Sequence, residues 1–157
     1  MELIKSNPDK HRSVYRLDSG TIRKYWHLES SEWITSHVTV LNKIVPGYII
    51  DAGKDNLGVW IDVTPLPGIA ANNIIHTDEF IIKIYNACLK NITETAPYVH
   101  GDWVLSNMFI DGDIVKFCDW DNVGIYPEEE VMNKLFKDLE SAFGTRFKEL
   151  INDSTIV

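Results

Sequence analysis

The chain has 157 residues and a formal net charge of −8, because 23 Asp and Glu residues outnumber 15 Lys and Arg residues. This length suits one compact domain, or two small lobes, around a buried core. The negative charge disfavours nucleic acids and anionic membranes as partners, since both are bound by neutralising phosphate charge, and it favours a neutral or cationic partner.

The front half of the sequence predicts a small antiparallel sheet with one helix. Alternating apolar residues bounded by turn signals predict strands at residues 13–17, 21–26, 48–52 and 58–63. Between the second and third strands, Ser30 or Ser31 can cap a helix that carries apolar residues at helical spacing. Pro46 would end this helix.

The back half of the sequence predicts mainly helices. Segment 64–68 contains two prolines and a glycine, so it can neither continue a strand nor begin a long helix. We therefore predict a front lobe, a linker and a back lobe at residues 1–63, 64–68 and 69–157. In the back lobe, Thr77 can cap one helix, and a second helix is predicted from Pro127 to a stop at Gly144.

The two cysteines, Cys88 and Cys118, both lie in apolar runs, so we expect free thiols and no disulfide. The sequence shows no signal-peptide pattern at Met1. It also shows no apolar run of the length that crosses a bilayer. These features predict a soluble, cytoplasmic protein.

The Asp111-Gly112 pair is a strong signal for a two-residue hairpin turn, because a type I′ turn requires positive φ at both positions. When the pairing is counted back from a turn at these two residues, Asp119 comes to lie opposite Val104. The hairpin would thus bring Asp119 next to the loop that precedes its first strand.

Three polar side chains would meet there: Asp102 and Asn107 on the loop, and Asp119 after the hairpin. A carboxylate and an amide oxygen can share a Mg²⁺ ion, which prefers oxygen ligands and keeps places for phosphate oxygens. A second carboxylate can orient an attacking hydroxyl group and accept its proton. We therefore expect Asn107 and Asp119 to bind the metal and Asp102 to act in phosphoryl transfer.

This stretch resembles the catalytic loop and metal-binding aspartate of the aminoglycoside phosphotransferase and choline kinase superfamily, relatives of the protein kinases. The matching residues are His100, Gly101, Asp102, Asn107, Asp119, Trp120 and Asp121. The resemblance implies an unusually short member with a two-lobed, protein-kinase-like α+β fold: a small antiparallel-sheet front lobe and a reduced helical back lobe. It also implies transfer of the γ-phosphate of ATP, with Mg²⁺, to a hydroxyl group of a small molecule, and a bracing role for His100.

The front half is similar to the same family in two segments. Residues 59–68 resemble the hinge, which assigns adenine to backbone groups of Asp62, Val63 and Thr64. Residues 22–25 resemble the strand whose lysine, here Lys24, holds the α- and β-phosphates. Because side chains alternate on a strand, Ile22 shares a face with Lys24 and could touch adenine.

Several assignments in the front half stay open. Arg23 would replace Lys24 if the strand register moved by one residue. A helix acid, Glu32 or its rival Glu29, could form an ion pair with Lys24, although an acid in the first turn also complements the helix dipole. The polar segment ending at Ser13 could cover the phosphates, and it could equally be an exposed turn.

Other functions are also open. The domain could be a non-catalytic, nucleotide-binding regulatory module, or a protein kinase, since a short back lobe leaves room for a protein acceptor. A second copy of the chain could complete that lobe in a homo-oligomer. Residues 119–130 partly fit an EF-hand calcium loop, but Val123 stands where an oxygen ligand is expected, and the preceding segment predicts a strand instead of a helix.

Overall fold

The structure, a computed structural model, describes residues 1–153. The chain forms two compact units, the first of which is Met1–Pro65, while the second begins at Leu66. The first unit contains one sheet and one long helix, and the second contains three helices and a smaller sheet.

An antiparallel sheet of five strands forms most of the first unit. Its strands are β1 (Glu2–Asn7), β2 (Arg12–Arg16), β3 (Ile22–Trp26), β4 (Ile49–Asp55) and β5 (Gly58–Val63), in the order β1-β2-β3-β5-β4. The sequence predicted the last four strands. It missed β1, because five of the six residues of that strand are exposed and show no alternation of buried and exposed positions.

Helix α1 (Ser31–Ile44) covers one face of this sheet. Its start was predicted correctly, since the Ser30 hydroxyl accepts a hydrogen bond from the Trp33 backbone N–H at 3.1 Å. Ile34 from the helix packs into a buried cluster with side chains of β3 and β5, namely Trp26, Val59, Ile61 and Val63. Burial of each such side chain stabilises the fold by roughly 1.5–3 kcal/mol.

The second unit contains helices α2 (Asp78–Thr95), α3 (Glu128–Phe143) and α4 (Thr145–Asn152). The first begins as predicted, because the Thr77 hydroxyl accepts a hydrogen bond from the Phe80 backbone N–H at 3.2 Å. Helix α4 was not predicted, as it follows directly after the expected stop at Gly144. Within residues 1–153, no helix is both long enough and apolar enough to cross a membrane.

The hairpin of the second unit was predicted in the right place but with the wrong turn. Strands β6 (Ile69–Ala70), β7 (Met108–Asp111) and β8 (Ile114–Phe117) form a sheet in that order. Asp111 pairs with Ile114, so the turn consists of Gly112 and Asp113. Only the glycine has positive φ, at 62°, which is the pattern of a type II′ turn instead of the expected type I′.

This turn shifts the predicted pairing by two residues. When the observed register is continued beyond the paired strands, Asp119 falls opposite Ser106 and not opposite Val104. The predicted partner was therefore wrong. The hairpin still brings Asp119 to the loop that contains Asn107, because the Cys118 backbone N–H donates a hydrogen bond to the Asn107 carbonyl at 2.9 Å.

Candidate functional site

The loop that carries Asp102 is held by backbone hydrogen bonds on both sides of that residue. Before it, Val99 and Gly124 exchange N–H···O bonds of 2.8 and 3.2 Å. After it, the Trp103 backbone N–H donates to the Asp138 carboxylate of helix α3 at 2.9 Å. These bonds fix the backbone conformation on either side of the candidate catalytic aspartate.

Asp138 was not among the predicted residues. It is buried, and its second carboxylate oxygen accepts a 2.6 Å hydrogen bond from the Lys134 ammonium. An Asp four residues from a Lys on a helix is typical of an exposed ion pair. Its position was the one sequence signal for burial. Asp138 precedes Leu139 and follows Leu135 by three residues, and both leucines are buried. An acid on the apolar face of a helix needs a buried hydrogen-bond partner.

His100 connects the loop of Asp102 to the segment of Asp119. It is fully buried, its Nδ1 accepts the Asp102 backbone N–H at 3.2 Å, and its Nε2 lies 2.6 Å from the Cys118 carbonyl oxygen. Because a carbonyl only accepts hydrogen bonds, the ring proton is on Nε2. The ring also packs against Trp120, with centroids 4.5 Å apart. These contacts agree with the bracing role expected for His100.

Asn107 folds back onto Asp102 through a short 3₁₀ turn. Its amide nitrogen donates to the Asp102 carboxylate oxygen Oδ2 at 3.1 Å and to the Asp102 carbonyl at 3.3 Å. The amide oxygen and the other carboxylate oxygen, Oδ1, make no hydrogen bond within residues 1–153. One acceptor atom on each side chain, the Asn107 amide oxygen and Oδ1 of Asp102, is therefore not used in the contact between them.

Asp119 has left-handed backbone angles, φ 58° and ψ 66°. A residue other than glycine seldom adopts this conformation, Asp does so more readily than most, and such residues cluster at functional sites. A single 3₁₀ turn with the buried Trp120 follows it. Asp102, Asn107 and Asp119 thus belong to one hydrogen-bonded group of loops in the second unit.

This group could hold a Mg²⁺ ion. Asn107 and Asp119 offer one amide oxygen and one carboxylate, and Mg²⁺ is commonly bound through one or two carboxylates, with water and phosphate oxygens completing its shell. The EF-hand alternative is not supported, because strand β8 occupies the place of the entering helix. Nor do residues 1–153 contain a group of three or more His, Cys, Asp or Glu side chains placed to hold a metal ion.

In the first unit, Lys24 and Ile22 share the face of the sheet that α1 covers. Lys24 pairs with Ile61 and Ile22 pairs with Val63, and both of those partners belong to the core against α1. The Lys24 ammonium lies 5.6 Å from the centre of the Trp26 ring. The predicted alternation of side chains on this strand is therefore present.

Arg23 lies on the opposite face of the same strand. Its guanidinium donates two hydrogen bonds to the Asp62 carboxylate, of 2.7 and 2.9 Å, and lies 3.7 Å from the centre of the Trp60 ring. The hydrogen bond to Asp62 raises the pKa of Arg23 beyond its usual range. The structure thus gives Arg23 a structural partner, and the alternative of Arg23 as the phosphate-binding cation loses its support.

Ser13 lies away from Lys24 in the sheet of the first unit. Ser13 pairs with Tyr25, so its side chain is on the face opposite to Lys24. The buried Ser13 hydroxyl lies 2.8 Å from Nε2 of His27. Ser13 belongs to strand β2, while the connection from β1 to β2 contains Pro8–Lys10. The structure therefore gives no support to a phosphate-covering role for Ser13, because its side chain lies on the face opposite to Lys24 and contacts His27.

Neither predicted helix acid forms the expected pair with Lys24. Glu32 is exposed in the first turn of α1, and Glu29 is exposed before the helix begins. Within residues 1–153, neither side chain makes an ion pair or a hydrogen bond. Of the predicted hinge residues, Val63 ends strand β5 and is buried, and Thr64 follows it and is exposed.

Solved structures share this fold. A crystal structure of WbdD matches 87% of this chain and 36% of its own, with a TM-score of 0.62 and 13% identity. A structure of monomeric WbdD matches 87% of this chain and 38% of its own, with a TM-score of 0.57 and 12% identity. The kinase PK-1 of Cydia pomonella granulovirus matches 80% of this chain and 54% of its own, with a TM-score of 0.51 and 15% identity.

These likenesses define the class of fold. The chain has an α+β, kinase-like fold, as predicted, and it spans between 36% and 54% of the length of the three solved chains. The sequence matches no family model and no curated protein. Membership of the aminoglycoside phosphotransferase and choline kinase superfamily therefore stays a prediction.

Proposed function

We propose that this chain is an ATP- and Mg²⁺-dependent phosphotransferase that transfers the γ-phosphate to a hydroxyl group of a small molecule. The observation that carries the proposal is the hydrogen bond from the Asn107 amide to the Asp102 carboxylate. This bond directs the Asn107 amide oxygen to a separate role from that of Asp102. It thereby supports one position for a metal ion and another for an acceptor hydroxyl.

In the proposed reaction, Asp102 orients the acceptor hydroxyl through Oδ1 and takes up its proton as the phosphoryl group is transferred. The Asn107 bond to Oδ2 keeps the carboxylate in this orientation. Asn107 and Asp119 would hold Mg²⁺, which when bound neutralises phosphate charge. Most of the rate enhancement would come from positioning and charge, because the transition state of phosphoryl transfer is loose.

In the first unit, Lys24 would bind the α- and β-phosphates, and Ile22 on the same strand face would touch adenine. The hinge backbone at Asp62, Val63 and Thr64 would hydrogen-bond the adenine edge. The Asp62 side chain takes no part in this, since Arg23 occupies both of its oxygens. Two observations support these roles. Lys24 and Ile22 share one face of β3, and the hinge backbone lies at the end of β5.

The acceptor could enter a cavity of about 350 Å³ beside the loop of Asp102, lined by Gly101, Trp103, Asn122, Tyr126, Glu130, Val131 and Lys134. Lys134 in this lining is paired with Asp138. Glu130 therefore dominates the local charge and favours a neutral or cationic acceptor over an acidic one. The net charge of −8 acts in the same direction.

The test compares Asp119→Asn with Asp102→Asn. Binding of Mg–ATP is measured by calorimetry and by thermal unfolding, and turnover is measured with a panel of hydroxylated acceptors. At 100 times its dissociation constant, a ligand should raise the unfolding free energy by about 2.7 kcal/mol. We expect Asp119→Asn to lose this Mg²⁺-dependent effect. Asp102→Asn should keep it and turn over at least about 100-fold more slowly.

Asp111→Asn is the matched control, because Asp111 is exposed on the same hairpin. Equal loss of nucleotide binding in both folded variants would contradict the division of roles between Asp102 and Asp119. Stabilisation by ATP without Mg²⁺ and without turnover would favour a regulatory nucleotide-binding module. The absence of any response of the wild-type chain to nucleotide would refute the kinase proposal.

A further inference from the structure

His37 in helix α1 has a buried nitrogen without a partner. The residue is 8% exposed, and its Nε2 forms no hydrogen bond within the described residues. A buried polar atom left without a hydrogen bond destabilises a fold, so most such atoms have a partner in the functional state. Within residues 1–153 this nitrogen is therefore an unused hydrogen-bonding atom on the buried side of α1, as is Nε1 of the neighbouring Trp26.

His37 lies on the side of α1 that faces the sheet and Lys24. Its ring stacks on Trp33, with centroids 4.9 Å apart and planes at 14°, and meets Trp26 edge-on at 5.6 Å. The Lys24 ammonium lies 5.6 Å from the centre of the same Trp26 ring. The imidazole and the ammonium thus border one tryptophan, on the face where the proposed function requires a lysine.

The acids of the helix do not reach this face. Glu32 precedes His37 by five residues, which at about 100° per residue places it about 140° around the helix axis. It is exposed, whereas His37, Ile34 and Leu41 form the buried side of α1. An acid at position 32 therefore cannot replace His37 without rotation of the whole helix.

The charge state of His37 suits a hydrogen bond with an ammonium group. Burial lowers the pKa of His37 to about 4, and the positive charges of Lys24 and Arg12 lower it further in the same sense. The imidazole is neutral at physiological pH as a result. A neutral imidazole nitrogen can accept a hydrogen bond from an ammonium group, whereas a protonated one would repel it.

We propose that His37 is the residue of α1 that positions Lys24, by accepting a hydrogen bond at Nε2 from the ammonium when phosphates are bound. The inference rests on the proposed nucleotide-binding function. It assigns to a neutral acceptor the role that was predicted for Glu32 or its rival Glu29. A neutral partner fixes the direction of the lysine without cancelling the charge that attracts phosphate.

Two substitutions separate this role from ring stacking. His37→Phe keeps an aromatic ring between the tryptophans and removes the nitrogen. His37→Gln loses the ring and supplies an amide oxygen that can accept a hydrogen bond. Calorimetry should show Mg–ATP binding to His37→Phe about tenfold weaker (~1.4 kcal/mol), with affinity largely restored in His37→Gln. Lys24→Ala shows how much Mg–ATP affinity is lost when the ammonium group is removed. Glu32→Gln should bind Mg–ATP as the wild type does.

Urea unfolding of each variant shows whether it is folded at the binding temperature. A folded His37→Phe with wild-type affinity, or a folded His37→Gln no better than His37→Phe, would overturn the inference and leave the proposed function intact. A weakened Glu32→Gln would return the role to the helix acid. A wild-type chain that fails to bind Mg–ATP would instead refute the proposed function, and the inference with it.

Discussion

The burial of His37 predicts that the stability of the protein falls in mildly acidic solution. In the unfolded chain a histidine has a pKa of 6.5, and in the fold the pKa of His37 is about 4. Between these values the unfolded chain binds a proton that the folded chain does not. The stabilising contribution of the neutral side chain is therefore complete above about pH 6.5 and is lost as the pH falls towards about 4.

The size of the effect follows from the gap of about 2.5 pH units between 6.5 and 4. Each unit corresponds to 1.36 kcal/mol, which gives a loss of roughly 3 kcal/mol over the whole window. Domains are stable by about 5–15 kcal/mol, so a loss of this size is readily measured. The charges that face His37 are those of Lys24 and Arg12, and both favour its neutral form.

The assay is urea unfolding of the wild type and of His37→Phe at several values between about pH 7 and 4. All other ionisable side chains are common to the two proteins, so their effects cancel in the difference between the wild type and His37→Phe. We expect the wild type to lose about 1.4 kcal/mol per pH unit relative to His37→Phe within the window. A difference that stays constant with pH would refute the reasoning.

Substitutions at two positions, Asp138 and Gly101, test how the loop of Asp102 is held. Asp138→Ala should lower the unfolding free energy by about 1–3 kcal/mol, because the buried Trp103 N–H loses its acceptor. Asp138→Asn, which keeps an acceptor, should lower it less in the same urea titration. Gly101→Ala should lower the melting temperature more than Gly112→Ala does. Both glycines have positive φ. Of the two, only Gly101 would bring a Cβ close to a backbone oxygen, that of Asn122, at 2.7 Å. Equal decreases in melting temperature would exclude this contact as the cause.

Local signals accounted for much of the fold. Ser30 and Thr77 begin their helices through hydrogen bonds to N–H groups three residues later, which sequence spacing alone can show. The hairpin turn was misplaced because both Asp111-Gly112 and Gly112-Asp113 fit two-residue turns of different types. The choice between them depends on the pairing of whole strands, which a dipeptide does not encode.

One pair of predicted site residues, Ser13 and Lys24, can be compared with the strand register that the sequence itself implies. A turn between the predicted strands 13–17 and 21–26 already pairs Ser13 with Tyr25 and Val14 with Lys24, as the structure does. Neighbouring residues of a strand point to opposite faces. The assignment of Ser13 and Lys24 to the same phosphates therefore contradicted the register that the turn implied.

Other features depend on contacts between distant parts of the chain. Asp138 is 35 residues from the N–H that it accepts, so no local pattern marks it as different from a surface acid. His37 lies in the apolar stripe of α1 between Ile34 and Leu41, where a lone histidine usually indicates a core position. Its proposed role is visible only when the strand register places Lys24 on the covered face of the sheet.

The register of β3 also gives a physical reason for the prediction that Lys24, and not its neighbour Arg23, binds phosphate. Arg23 has both carboxylate oxygens of Asp62 as hydrogen-bond partners, so binding a phosphate there would first break a partly buried, bidentate pair. It would also leave the buried Asp62 carboxylate without its partner. Lys24 lies on the other face, where α1 presents a neutral imidazole. By this reasoning the face of the sheet, and not the number of basic residues on the strand, would decide which cation binds phosphate in the proposed function.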